Sequence, residues 1–339
     1  MSKTICIVTG AAGFLGSTLV RMLLEDGFCV RALVHSKKNA ENVPAGAEVF
    51  FGDVLDPASL EPLFGTSAQN KPLPEAPFFI LFHAAAHLSV ARKDPECYEA
   101  TVRGTENVLA LCRKHHAKLI YFGSVDALEN PKNGSRITEP ERFCLKKPGS
   151  DYARSKADAG NLVLDAAEEG LDACVLLPSC LIGPGDRKGG FVTFMLKSYL
   201  RFRPRVSFKG GYDFSDVRDA ARGAILASER GARGGIYILG GESVTITELF
   251  NGINAEKGWK PITVTLPTGL LYLVAPFINL ANRFRGKRRI LTPNSLRILR
   301  ESAAFSHEKA VRELGYSARP FRETLSDTLK DLKADTKRN

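Results

Sequence analysis

Paired-cysteine motifs are missing from this sequence. Its seven cysteines (Cys6, Cys29, Cys97, Cys112, Cys144, Cys174 and Cys180) are odd in number, scattered, and include no C-x-x-C. That argues against a disulfide frame and against a zinc site. Several of them sit inside apolar runs, as buried free thiols do in a reducing compartment, so a cytoplasmic location and no metal are expected. Long apolar runs are scarce too. Met1 to Val8 carries one lysine and its short apolar run stops at Gly10. It lacks the apolar region and cleavage site of a secretion signal and reads as a first strand. In Leu266 to Arg289 the apolar part is about fifteen residues with Pro276 inside, short of the ~20 that span a bilayer. A helix pair lining a pocket or a subunit contact is the preferred reading there. The alternative is an interfacial helix held on a membrane surface by the basic run Asn282 to Arg289, which the proline and the lack of a strong polar face weaken. Acidic residues are outnumbered, 37 against 47 basic ones, for a net charge of +10. The excess is spread along the chain, and no zinc-finger or RNA-binding signature accompanies it. A solvated basic face is expected, and nucleic acid is not expected as a partner. No internal repeat is visible.

What the sequence does contain is alternation. Its 339 residues suffice for two domains or for one large domain with an elaborated end. Short β-branched runs ("TICIVT", "CVRALV", "AEVFFGD", "FFILFHAAA", "KLIYFGS", "DACVLL") alternate with helical segments ("FLGSTLVRMLLEDG", "PASLEPLF", "DPECYEATVRGTENVLALCRKHH" and the segment starting at Ser150). Strands alternating with helices predict a doubly wound α/β fold, a parallel sheet with helices on both faces. Gly65 to Pro77, rich in proline and polar residues, reads as a surface insertion. After Pro178 the alternation loosens, and apart from "GIYILGG" and "PITVTL" the remainder reads as mostly helical. The expected division is a Rossmann domain over 1–177 with 213–239, and a smaller substrate-binding region over 178–212 with 240–339.

The segment "VTGAAGFLG" sets Gly10, Gly13 and Gly16 between the first strand and the first helix. Glycines there tighten the turn, let the backbone approach a pyrophosphate and pack helix against strand, while the helix N-terminus offers donors to phosphate. The same glycines would also serve a plain tight turn. The context, at the head of an alternating chain, favours dinucleotide binding, with Phe14 and Leu15 in the first helical turn. The second strand ends "RALVHSKK", with no Asp or Glu from Ala32 to Ala40. Arg31, His35, Ser36, Lys37 and Lys38 offer positive charge and donors, so NADP(H) is favoured and NAD(H) remains possible. Asp53, next to Val54, either accepts from the adenine amine or caps a helix near Pro57. In "HAAAH", the small residues Ala84, Ala85 and Ala86 let a cofactor lie against the backbone. His83 reads as a structural histidine, and His87 is a weaker candidate for facing the substrate.

"SDYARSKADAG" reads as a helix start capped by Ser150 or Asp151. It puts Tyr152 and Lys156 four apart, on one helical face. A fixed cation beside the phenol would favour the phenolate and lower a pKa that is ordinarily about 10. Such pairs are also common on helix surfaces, so the spacing alone does not decide. Ser124 ends the fifth strand at the sheet edge where ligands bind in open α/β sheets, and can hold a substrate oxygen beside Tyr152.

Together these residues resemble the extended short-chain dehydrogenase/reductases. The pattern T-G-x-x-G-x-x-G is met by Thr9, Gly10, Gly13 and Gly16, the third-strand G-D by Asp53, and H-x-A-A by "HAAA". Ser124 matches the active-site serine, and Tyr152 with Lys156 matches Y-x-x-x-K. "LPSCLIGPGD" and "SDVRDAA" match later patterns, and "FSHEKAVRELGY" resembles the branch of 3β-hydroxysteroid dehydrogenases and dihydroflavonol reductases. The resemblance implies Tyr152 as proton donor or acceptor and Ser124 as holder of the reacting oxygen. It gives Lys156 the nicotinamide ribose, and sets Pro178 and Ser179 at the nicotinamide end. It implies an NADP(H)-dependent alcohol/carbonyl oxidoreductase for a bulky, largely apolar small molecule such as a steroid- or flavonoid-like compound, and a homodimer. Thr101 replaces a cofactor-contacting Asn, His35 stands where NADP-using relatives carry Arg, and Gly123 stands where a second Ser is usual. Asp126, two residues after Ser124, feeds a rival reading within the resemblance, a sugar-nucleotide dehydratase or epimerase that retains NAD, although Val125 occupies the place of a second acid. A non-catalytic dinucleotide sensor is the remaining alternative, and the intact Ser124, Tyr152 and Lys156 speak against it.

Overall fold

The computed structural model describes residues 4–65, 77–87, 92–130, 135–146, 148–273, 275, 293–301 and 304–338. The basic run Asn282 to Arg289 and most of the Gly65 to Pro77 insertion lie outside them. The strands β1 (Thr4–Thr9), β2 (Cys29–Val34), β3 (Glu48–Phe51), β4 (Phe78–His83), β5 (Lys118–Phe122), β6 (Ala173–Pro178) and β10 (Ile236–Leu239) form one sheet. Its order is β10-β6-β5-β4-β1-β2-β3, and every pairing is parallel. Parallel pairing requires crossovers, and helices α1 (Phe14–Glu25), α4 (Pro95–Lys114), α5 (Asp151–Glu168) and α7 (Val217–Arg230) supply them. The strands are buried on both faces, one face under a cluster that includes Ile7, Leu81, Tyr121 and Val163, the other under Val8, Phe82, Leu19 and Tyr237. The order in which successive strands are added reverses between β1 and β4, and this is the crevice where an open α/β sheet takes its ligand.

The second region contains more strand than the sequence suggested. β7 (Cys180–Ile182), β9 (Gly211–Asp216) and β11 (Glu242–Thr245) form a three-stranded sheet, and β8 (Val206–Phe208) pairs with β12 (Val264–Leu266). β9 belongs to this small sheet, so the chain returns to the large layer at Val217 and not at Asp213. With helices α6 (Phe191–Phe202), α8 (Ile246–Lys257) and Phe321–Arg338 these strands enclose a separate core of Leu196, Phe214, Leu249, Ile253 and Leu325. The region is joined to the large layer by charge. Asp216, with a fully buried side chain, binds Arg218 at 2.7 Å and lies 3.6 Å from Arg319, which also reaches Asp219 at 2.7 Å.

All seven cysteines are free, Cys6, Cys97, Cys112 and Cys174 buried and Cys29 and Cys144 exposed. Among the described residues, no helix is long and apolar enough to cross a membrane.

Candidate active site

The turn after β1 is closed by backbone. Gly10 has φ +67° and accepts at 2.8 Å from the Gly13 N–H. A Cβ on Gly10 would stand 2.7 Å from the Ala84 carbonyl oxygen, and one on Gly16 only 2.2 Å from the Gly10 carbonyl oxygen. Both positions therefore exclude any side chain. Helix α1 begins at Phe14 with no side-chain cap and no acid in its first turn. Its first N–H groups and the positive end of its dipole face the crevice mouth, an arrangement that suits a phosphate.

His83 ties β1 to the neighbouring loop. The Ala85 N–H donates to Thr9 Oγ1 at 3.1 Å, and that hydroxyl donates to His83 Nδ1 at 2.7 Å. The other ring nitrogen lies 3.4 Å from Thr105 Oγ1, whose own proton goes to the Thr101 carbonyl. Burial, with Lys156 nearby, pushes the His83 pKa down to about 3, so the ring is neutral and structural, as expected. The latch holds Ala84 and Ala85 against the glycine turn. Ala86 and His87 continue to the exposed rim, where His87 Nε2 lies 3.7 Å from Asp94.

Ser150 caps α5 by accepting from the Ala153 N–H, so the cap is Ser150 and not Asp151. The helix runs on through Gly160, where a Cβ would meet the Phe143 ring at 2.6 Å. Its first turns carry Tyr152 and Lys156 inward. Ser124 sits just beyond β5 and caps a short 3-10 turn, Val125–Ala127, its Oγ accepting from the Asp126 N–H at 3.2 Å. Burial and the nearby Asp126 carboxylate push the Tyr152 phenol well above its ordinary pKa, and the neighbouring Ser124 hydroxyl opposes that shift. The expectation that Lys156 lowers it is not met here. Lys156 Nζ instead donates to the Phe122 carbonyl at 2.7 Å and lies 5.1 Å from the Tyr121 ring centroid. Burial brings the lysine's own pKa down to about 8. Burial likewise raises the Asp126 carboxyl, with Arg297 opposing it.

At the far end of the crevice, Arg31 does not serve the role expected of it. It is buried on the inner face of β2, donates to the Leu63 and Gly65 carbonyls at 2.7 and 2.9 Å, and lies 3.3 Å from Glu48. A mid-strand cation that deep is spent on orphan carbonyls. His35, Lys37 and Lys38 stay exposed. Asp53 accepts from the Leu55 N–H at 2.9 Å and faces His35 at 3.4 Å, while the helix at Pro57 is capped by Asp56. Val54 packs against Gly104, where a Cβ would approach its side chain to 2.8 Å.

Among the described residues four buried polar atoms have no hydrogen-bond partner: Tyr121 Oη, His307 Nδ1, and two hydroxyls at positions expected to meet the cofactor, Thr101 Oγ1 and Ser179 Oγ. Unpaired buried hydroxyls are costly, and a polar ligand in the crevice would satisfy them. The glycine cradle, the open helix end and these two donors fit a dinucleotide. Sequence reasoning passed over Cys180 and Tyr212: burial, with the nearby Asp126 charge adding to it, raises the pKa of both, Cys180 to about 12. The position of Cys180, directly after Pro178 and Ser179, was the available signal.

The fold and this crevice define a dinucleotide-binding α/β enzyme. Residues 6–240 match the model of the NAD dependent epimerase/dehydratase family, and the chain belongs to that family. A putative dihydroflavonol 4-reductase of Synechocystis is 31% identical over 331 residues, covering 95% of this chain and 92% of the relative. Sterol demethylase protein B of Methylococcus capsulatus is 28% identical over 337 residues, covering 95% and 96%. The crystal structure of gox2253 superposes with TM-score 0.81 at 32% identity over 98% of both chains. A UDP-glucose 4-epimerase of Thermotoga maritima shares the fold with TM-score 0.75 at 22% identity, covering 98% of this chain and 99% of its own. The chain is thus an NAD(P)-dependent enzyme of the dehydrogenase/reductase type, acting on CH–OH groups.

Proposed function

We propose that this chain is an NADP(H)-dependent oxidoreductase that interconverts a secondary alcohol and a ketone, or an aldehyde, on a bulky and largely apolar substrate. The observation that carries the reading is the convergence of Ser124, Tyr152 and Lys156 at the carboxyl end of β5, with Ser124 just beyond the strand and Lys156 bound to its Phe122 carbonyl at 2.7 Å. The backbone of Gly10, Gly13 and Gly16 with the N–H groups of Phe14 and Leu15 would hold the pyrophosphate. Asp53 and Val54 would meet the adenine, His35 and Lys38 the ribose phosphate, and Ala84 to Ala86, Thr101, Pro178 and Ser179 the nicotinamide end. The bound nicotinamide supplies or accepts a hydride. Tyr152, whose raised pKa keeps it protonated at neutral pH, gives a proton to the carbonyl oxygen during reduction and recovers it in the reverse direction. Ser124 holds that oxygen in line. Lys156, anchored on the Phe122 carbonyl, would hold the nicotinamide ribose.

An apolar substrate is supported by Tyr212, near enough to Asp126 to feel its charge, and by Phe191, whose ring centroid lies 6.0 Å from that of Tyr212. The names of the similar sterol and dihydroflavonol proteins agree with it. Tyr152→Phe should lower turnover of a ketone panel by about 10²–10⁴-fold while the NADPH dissociation constant stays within about twofold. Undiminished turnover would refute the mechanism, and tighter binding of NADH than NADPH would refute the cofactor choice.

A second reading, a nucleotide-sugar epimerase or dehydratase, is favoured by one observation, the buried Asp126 carboxyl acting on Tyr152. Stoichiometric NAD retained through purification would support it over the reductase.

A further inference from the structure

We infer that the face formed by the end of α6, the β8–β12 pair and the helical turn after Gly269 docks on an anionic lipid surface. Ten large apolar side chains stand exposed among the described residues, and six of them fall here: Phe202, Val206, Val264, Leu270, Tyr272 and Leu273. Single exposed apolar residues are ordinary on any protein, whereas a cluster marks an interaction surface. These six are drawn together by backbone. Val206 is the cross-strand partner of Val264. The Lys209 N–H donates to the Leu266 carbonyl at 2.9 Å, and Thr268 Oγ1 donates back to the Lys209 carbonyl at 2.5 Å. Phe202 and Leu273 are the most exposed of the set, at 64% and 68%.

The stretches that carry this patch are basic: from Arg187 to Tyr212 the sequence has seven Lys or Arg and no Asp or Glu, and from Lys257 to Leu273 two Lys and again none, while the adjoining helix α8 brings Glu248 next to Thr247, which bonds Ser207 and Thr265 of the pair. The β8–β12 pairing joins those two acid-free stretches edge to edge. Arg201, Arg203, Arg205, Lys209 and Lys260 are exposed around the patch, and none of them has an ion-pair partner among the described residues. The Arg203 guanidinium lies flat over the Trp259 ring, 4.1 Å from its centroid. Protruding aliphatic and aromatic tips ringed by unpaired cations match the boundary of a bilayer, which takes up apolar tips and holds negative headgroups at the same depth. A second copy of the chain fits less well, because a twofold contact through this face would bring two rings of cations together. Nucleic acid would use the cations and leave Leu270 and Leu273 in water. The inference does not depend on the proposed reaction, since none of these residues belongs to the crevice.

The test is co-sedimentation of the full chain with vesicles of phosphatidylcholine alone and of phosphatidylcholine mixed with phosphatidylglycerol. Binding is expected to the mixed vesicles only, and to weaken as salt rises. Two independent variants should each reduce it at least about tenfold: F202S with L273S, which removes the tips, and R201E with R205E, which reverses the charge. Thermal unfolding of each variant serves as the folding control. Unchanged binding by both variants would overturn the inference by moving any docking elsewhere. So would an absence of vesicle binding together with a dimer that F202S and L273S dissociate, which would assign the face to self-association.

Discussion

The seven-stranded layer and the second region of this enzyme are held together in different ways. In the seven-stranded layer several polar side chains near the crevice bind backbone. Lys156 holds the Phe122 carbonyl, Arg31 the Leu63 and Gly65 carbonyls, and Thr9 the Ala85 N–H. The surface offered to the dinucleotide is itself largely main chain, made at Gly10, Gly13 and Gly16. In the second region side chains bind side chains, through Asp216, Arg218, Asp219, Arg319 and Asp327. A site made of main chain tolerates sequence drift as long as its glycines stay. A pocket walled by side chains changes with each substitution. The contrast is consistent with one fold shared by a dihydroflavonol reductase-like protein and a sterol demethylase protein.

Three measurements would break or sharpen that contrast. The largest effect is expected at Gly16, because a methyl there collides with the carbonyl oxygen of Gly10. Gly16→Ala should cost about 1–3 kcal/mol of stability and lower NADPH affinity about 100-fold by calorimetric titration. Unchanged affinity would mean that the cradle is not made of main chain. Next comes Asp216→Ala, which leaves two guanidinium groups facing each other. Chemical unfolding should show a loss of about 3 kcal/mol, with NADPH affinity changed no more than about threefold. A collapse of cofactor binding would show that the charge network supports both regions alike. The smallest effect is a pH slope. The His83 pKa falls from 6.5 to about 3 on folding, so between those values the unfolded chain binds a proton that the folded chain refuses. Stability should therefore drop as pH falls through that window, by at most about 1.4 kcal/mol per unit. His83→Gln should flatten this acid slope in a series of thermal melts.

The sequence shows the seven-stranded layer well because its demands are local. Gly10 needs a positive φ, Gly16 needs an absent Cβ, and β-branched runs between amphipathic helices leave few other folds. The Ser124, Tyr152 and Lys156 spacing is visible for the same reason. Where a property is set by tertiary surroundings, residue identities mislead. Arg31 looked like a phosphate ligand at a strand end, yet alternation along β2 turns it inward beneath Leu63. The shift of Tyr152 has the sign opposite to that expected, since burial outweighs any neighbouring cation. Asp53 and Asp56 both precede Pro57, and the backbone selects the second as cap. The strands β7, β8, β11 and β12 have only three or four residues each, too few for an alternating pattern, and they exist through pairing with distant segments.

The closing helix, Phe321–Arg338, has a practical bearing on how the enzyme is handled. Its Asp331 accepts from the Gly185 N–H at 2.9 Å and pairs with Arg187 at 3.2 Å, and its Asp327 pairs with Arg218 at 2.9 Å. The loop that follows Ser179 is thereby moored to the tail of the polypeptide. Removing the residues from Asp327 onward would release that loop.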